Sequence, residues 1–214
     1  MKLLAFNGSP KKDWNTATLL QKALEGAASH GAETNLIHLY NLNFKGCVSC
    51  FACKLKAGKG YRNCAYKDDL TPILEEVEHA DALIFGSPIY LGTATGIMKS
   101  FLERLIFPYL IYDTQYSTLF KKKIQTGFIY TMESRLRVVG YDQQFSTTEM
   151  LMAKIFGASE SLFATDTYQF DDYSKYMSTS FSDEENVANR RKESPIDCKN
   201  SFQMGVRFAA AYRV

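Results

Sequence analysis

Four of the five cysteines in this 214-residue chain lie between positions 47 and 64. Cys47, Cys50, Cys53 and Cys64 form a C-x2-C-x2-C-x10-C array. Thiolates at the first three intervals can converge on one cubane, which is how iron–sulfur clusters are held. Zinc more often takes two separate C-x-x-C knuckles and ranks lower. Cysteine also packs as a small buried hydrophobe, and that plainer reading outweighs the [4Fe-4S] one. Cys198 stands apart, with no role assigned.

A second set of residues points to a different chemistry. The stretch "NGSPKKDWNTATLL" follows an apolar run and leads into a helical pattern. A helix start presents free backbone N–H groups and the positive end of the helix dipole, a natural seat for a phosphate. Ser9, Asn15 and Thr16 add side-chain donors there, and Lys11 adds charge. The alternative is that Asn15 or Thr16 simply caps the helix. Neither G-x-G-x-x-G nor G-x-x-x-x-G-K-[ST] occurs, so a phosphate at this loop would not be held as in a dinucleotide fold or a P-loop. The same Gly-Ser-Pro closes a second apolar run in "ALIFGSPIY". Two matching ends suggest two neighbouring strands with one ligand across them.

The elements that must position these residues alternate between strand and helix. Strands are expected at 2–6, 33–39, 81–86, 123–131 and 161–167. Helices are expected at 16–29, with Leu19, Leu20, Ala23, Leu24 and Ala27 on one face, and from Thr71-Pro72 to about Glu78. A third helix is expected at 95–106, with Met98, Phe101, Leu102 and Leu105 on one face, of which Met98 and Phe101 are assigned to the core. Ser146 to Glu149 reads as a capping box opening a fourth helix to Phe156. After Asp183 a last helix carries Phe202, Val206 and Ala210 on its face. A cysteine-rich loop at 45–67 and an irregular aromatic excursion at 168–182 complete one domain. Alternating elements imply an α/β fold with parallel strands and right-handed crossovers. In such sheets ligands bind beyond the carboxyl ends of the strands where strand order reverses; for the order 2-1-3-4-5 that point lies between the first and third strands.

Composition narrows the partners. Net charge is +2, and the short basic clusters at 121–123 and 190–192 read as solvated surface, so nucleic acid is not expected. No apolar stretch is long enough to span a bilayer, and the first residues are too polar for a signal peptide. The expected setting is the cytoplasm, without membrane partners. His30, His38 and His79 are expected on the surface, away from the ligand loop. The aromatic stretch 107–120 should fold over its own core or be covered by a partner.

The motifs "NGSPKKDWNTATLL" and "GSPIYLGTATGIMKSFLERL", with the cysteine array between them, resemble the NADPH-dependent FMN reductase and iron–sulfur flavoprotein branch of the flavodoxin-like superfamily. The likeness is strong over 1–106 and weak beyond about 170. It implies a five-stranded parallel sheet with helices on both faces and an FMN cofactor reduced by NAD(P)H. Ser9, Lys11, Asn15, Thr16 and Ala17 would hold the phosphate. Ser87, Pro88, Ile89 and Tyr90 would border the ribityl chain and ring, Gly92 would leave room for close approach, and Thr131, Met132 and Glu133 would form the third wall. In that family the fourth cysteine follows more closely than Cys64 does here. The resemblance implies an oxidoreductase passing electrons to a small-molecule or protein acceptor (quinone, flavin, nitro compound), or else a non-enzymatic electron carrier. It also favours a homodimer or homotetramer.

Overall fold

The computed structural model describes residues 1–56, 58, 60–115, 117–133, 142–165, 167–170, 172–177 and 183–212. Its elements are β1 (Lys2–Asn7), α1 (Asn15–Ala28), β2 (Glu33–His38), α2 (Leu70–His79), β3 (Ala82–Tyr90), β4 (Thr93–Ala94), α3 (Gly96–Ile106), β5 (Ile124–Thr131), α4 (Asp142–Phe156), β6 (Gly157–Ala164) and α5 (Asp183–Ala211). The strand order is β2-β1-β3-β5-β6, with every neighbouring pair on that path parallel. This is the expected flavodoxin-like order, with one addition: β4 is a sixth, two-residue strand antiparallel to β3.

Each sheet face is covered by its own helices. Leu3, Ala5, Ile84 and Ile129 pack under α1 and α5, while Leu4, Phe6, Phe85 and Phe128 pack under α2, α3 and α4. The strict alternation along β1 follows from a strand whose successive side chains point to opposite faces, both of them covered. All five apolar residues expected on the α1 stripe are buried, as are Met98 and Phe101.

Several expectations are corrected. The second Gly-Ser-Pro is not a turn: β3 runs through it to Tyr90, because β5 continues the ladder with Ser87 opposite Tyr130 and Pro88 opposite Thr131. β1 stops pairing at Gly86, so Pro88 sits where that side of β3 has become an edge and its missing N–H is tolerated. The final strand begins at Gly157, not near 161, directly after α4. It lies at the sheet edge, where its polar residues are acceptable, and a search for an apolar run starts it too late.

Ser146 is no cap, since α4 already begins at Asp142. Its hydroxyl donates to the Gln143 carbonyl, and those of Thr147 and Thr148 bond back to Gln143 and Gln144. The buried face of α5 is also displaced by one residue. It carries Ser201, Met204, Phe208 and Ala209, while Ala210 is exposed. The cause is a close crossing with α1: a Cβ on Gly205 would lie 1.8 Å from the Ala23 carbonyl oxygen, and one on Gly26 would lie 2.0 Å from that of Phe202. Small residues set the contact, so the bulkier apolar row turns aside.

Among the described residues of the 107–120 stretch, two aromatics fold over the core. Tyr109 and Phe120 are buried and pack edge-on against each other and against Phe156, while Tyr112 faces outward. Part of the expected excursion, residues 171 and 178–182, lies outside the described residues. Among the described residues no helix is long and apolar enough to cross a membrane.

Candidate functional site

The two Gly-Ser-Pro segments are bound to one another. Gly8 N–H donates to the Gly86 carbonyl at 2.8 Å. The Thr95 hydroxyl donates to the Gly8 carbonyl at 2.7 Å, and Thr95 N–H donates to Ser87 Oγ at 3.0 Å. Thr95 is also the N-cap of α3, its hydroxyl accepting from Met98 N–H at 3.4 Å. One buried threonine thus locks the end of β1, the end of β3 and the start of α3 together.

Beyond that lock the segments at the strand ends enclose a cleft of about 160 Å³. Ser9, Lys11, Asn15 and Thr16 line one side, Pro88, Ile89 and Tyr90 a second, and Thr131, Met132 and Glu133 a third. Trp14, Thr167, Tyr168 and Gln169 complete it, and sequence reasoning assigned none of these four. Three expected residues do not line the cleft. Ser87 is turned inward to Thr95, and Ala17, next to Thr16 on α1, is buried. Gly92, at φ 81, forms with Leu91, at φ 51, the two-residue turn between β3 and β4. A turn with both residues at positive φ suits the twist of the hairpin, which gives Gly92 a backbone reason to be glycine.

The first turn of α1 is open. Its N-cap residue is Trp14, whose side chain makes no capping bond, so neither Asn15 nor Thr16 serves as the cap. Thr16 Oγ1 lies 2.8 Å from Thr131 Oγ1, joining the first and third walls of the cleft. The Lys11 ammonium lies 4.2 Å from the centre of the Trp14 ring. The Asn15 amide instead donates to the Tyr168 carbonyl at 2.8 Å.

His38 is half-buried beside this loop, contrary to the expectation that it lies away from it. Its Nδ1 is 3.0 Å from Asn7 Nδ2, while Asn7 Oδ1 accepts from Ser9 N–H at 2.9 Å. Because the Asn7 oxygen is committed to Ser9, its NH2 must donate to His38, which requires an unprotonated Nδ1. Burial holds the His38 pKa below its usual value; Lys12 adds to this and Asp13 opposes it.

The cysteine array lies around a different, smaller cavity, which Cys47, Cys50, Cys53 and Cys64 all line. Burial pushes the Cys53 thiol pKa up, opposed by Lys54 and reinforced by the other three cysteines. Arg104, 1% exposed, donates to Cys64 Sγ at 3.3 Å, to the carbonyls of Lys45 at 3.2 Å and Tyr66 at 2.9 Å, and to the Asp68 carboxylate. A guanidinium in the α3 core was not legible from spacing. The donors therefore suit an iron–sulfur group in type and number, but not in spacing. Among the described residues, no three Cys, His, Asp or Glu side chains are gathered closely enough to hold a metal ion. A larger cavity, of about 550 Å³, lies between α3 and α4 and is mostly apolar.

Comparison with known proteins gives these features a family. The family described as NADPH-dependent FMN reductase matches residues 1–139. An iron-sulfur flavoprotein of Archaeoglobus fulgidus is 43% identical over 104 residues, 49% of this chain and 48% of that protein. One from Methanocaldococcus jannaschii is 36% identical over 104 residues, 49% of this chain and 51% of its own length. The chain thus spans about half the length of the curated relatives it matches. Among solved structures, an NAD(P)H:quinone oxidoreductase from Methanothermobacter marburgensis superposes with a TM-score of 0.67 at 15% identity, covering 96% of this chain and 98% of that one. An azoreductase from Bacillus anthracis gives 0.65 at 14% identity, covering 97% and 100%. These structural likenesses speak to the fold. With residues 1–139 matched, the chain belongs to the NADPH-dependent FMN reductase family.

Proposed function

We propose that this protein is an FMN-dependent oxidoreductase that takes hydride from NAD(P)H and passes electrons to a quinone, flavin, nitro compound or protein acceptor. The observation that carries this reading is the uncapped start of α1 opening into a cleft walled by the ends of β1, β3 and β5. Backbone N–H groups of that first turn, with the Ser9 and Thr16 hydroxyls, would bind the phosphate, and Lys11 would add charge at the rim. Pro88, Ile89 and Tyr90 would flank the ring on one side, and Thr131, Met132 and Glu133 on the other. Bound there, FMN would supply the hydride and single-electron chemistry, which the fold orients but does not itself perform. Family membership and the strand order that leaves a crevice between β1 and β3 both support the assignment.

The test is direct. Purified protein should carry or take up FMN, with its visible absorption bands. Ser9→Ala with Thr16→Val should weaken FMN by ~1–3 kcal/mol, the range for lost hydrogen bonds to a charged group. Unchanged affinity would remove the phosphate site. Mixing the holoprotein with NADPH in a stopped-flow instrument separates enzyme from carrier: prompt bleaching of the flavin carries the enzyme reading, and none carries the electron carrier. A homo-oligomer belongs to the same proposal, and sedimentation at micromolar concentration checks it.

A second reading has its own observation. Four cysteines line one cavity, and curated relatives are named iron-sulfur flavoproteins. Cys47, Cys50, Cys53 and Cys64 would then have to draw together to hold a cluster, since in this structure they are not gathered closely enough for a metal ion. Iron and sulfide analysis after anaerobic purification decides it. About four of each per chain fits a cubane, while none after reconstitution leaves four thiols.

A further inference from the structure

We infer that the cavity between α3 and α4 is a second ligand site, which takes a flat, uncharged aromatic compound with one carbonyl group, bound through the Tyr130 hydroxyl. The site is separate from the flavin cleft. The two lie on opposite sides of the β3–β4 hairpin: Ile89 and Tyr90 line the cleft, while their partners Ala94 and Thr93 line the cavity. Strand β5 divides in the same way. Successive side chains point to opposite faces, so Thr131 serves the cleft and Tyr130 the cavity.

Tyr130 is 2% exposed, and among the described residues no hydrogen bond reaches its hydroxyl. Phe128, Phe145 and Phe163 pack against its ring, with centroids 5.3, 4.6 and 5.4 Å away, which leaves the hydroxyl end to meet the cavity. A buried phenol ordinarily finds a partner, because an unmet hydroxyl carries the full cost of its desolvation. Burial, reinforced by the Glu149 carboxylate, holds the Tyr130 pKa well above the ordinary tyrosine value. The hydroxyl therefore keeps its proton and can donate it to an incoming acceptor.

The surrounding walls define the rest of the ligand. A volume of about 550 Å³ is in the range of small-molecule pockets. Leu102, Ile106 and Phe107 line one side, and Phe145 and Leu151 of α4 line another. Three polar groups around the cavity are engaged elsewhere. Gln144 Nε2 donates to Thr93 Oγ1 at 2.6 Å, Thr148 Oγ1 donates to the Gln144 carbonyl at 3.2 Å, and Glu103 Oε2 accepts from Cys47 N–H at 3.0 Å. Lys99 is exposed at the rim, where its ammonium stays hydrated. A charged ligand would leave water for apolar walls at high cost, and an anion would also meet the Glu103 carboxylate. Phe107 and Phe145 suit a flat ring, and one carbonyl oxygen satisfies Tyr130.

Fluorenone and fluorene, which differ only in that a carbonyl replaces a methylene, test the site by equilibrium dialysis against the purified protein. Fluorenone should bind about three- to ten-fold more tightly than fluorene, the worth of one ordinary hydrogen bond. Tyr130→Phe should remove that preference and leave fluorene binding unchanged. Because the lost hydroxyl binds nothing in the protein, the urea midpoint of this variant should not fall. Leu151→Trp, which fills the cavity, should abolish binding of both compounds. Binding of neither compound to wild type, equal affinity for the two, or a preference that survives Tyr130→Phe would overturn the inference. A lower urea midpoint for Tyr130→Phe would give the hydroxyl a structural partner and overturn it as well. Displacement of fluorenone by added FMN would put the compound in the cleft instead. Sedimentation showing a dimer that Leu151→Trp breaks would make the cavity an interface between copies, and the inference would fall.

Discussion

Replacing Thr95 with valine removes one hydroxyl from the junction of β1, β3 and α3 while keeping nearly the same volume. Three bonds are lost: the one to the Gly8 carbonyl at 2.7 Å and two long ones, from Met98 N–H at 3.4 Å and from Ser87 Oγ at 3.5 Å, the last of little weight because Ser87 Oγ also donates to the Pro88 carbonyl at 2.9 Å. Thr95 is 1% exposed, so water cannot readily take its place. Leaving the Gly8 carbonyl unsatisfied costs ~1–3 kcal/mol. Loss of the cap adds ~0.5–1 kcal/mol, the lower part of the capping range because the bond is long. The total, ~1.5–4 kcal/mol, corresponds to a fall in Tm of roughly 3–16 °C for a chain of this size. Thr95→Ser keeps the hydroxyl and should recover most of that loss. Thermal and urea unfolding of the two variants beside wild type measures it. If valine costs under ~0.5 kcal/mol, or serine is as damaging as valine, the lock does not stabilise the junction and the reasoning fails.

Gly205→Ala puts a Cβ 1.8 Å from the Ala23 carbonyl oxygen, so α1 and α5 must part; about 2 kcal/mol or more is expected, read as a lower urea midpoint. Arg104→Met strands Asp68, whose side chain is 12% exposed, and frees two carbonyls; a loss of ~2–4 kcal/mol is expected in the same assay. For His38 the folded pKa lies below the unfolded one, so the unfolded chain binds the proton first. The group's full contribution is present above the ordinary histidine pKa of ~6.5, and stability falls as pH drops from there through the depressed folded value. His38→Gln, whose amide oxygen can accept from Asn7 at any pH, should flatten that part of the stability–pH curve. An unchanged slope would show that the Asn7–His38 bond does not sense acid.

The alternation of apolar runs and helical stripes was sufficient to place the parallel strands and the helices in order, although it started α4 and β6 four residues late. Local periodicity is a property of consecutive residues, and burial of both sheet faces leaves little freedom in reading it. The repeated tripeptide likewise pointed to β1 and β3 as neighbours, which they are, and ten of the expected cofactor residues line one cleft. Tertiary structure alone decided how those residues are used. Whether Gly-Ser-Pro is a turn or a strand depends on whether a neighbour continues the ladder, and β5 does so only for the second copy. That the Asn15 amide donates to the Tyr168 carbonyl, 153 residues away, is likewise invisible in its local sequence. The buried face of α5 was set by two glycines on different helices, and the Arg104 guanidinium was buried because Cys64, Lys45, Tyr66 and Asp68 come to meet it. Such choices are made by partners distant in the chain, and no spacing within a single element encodes them.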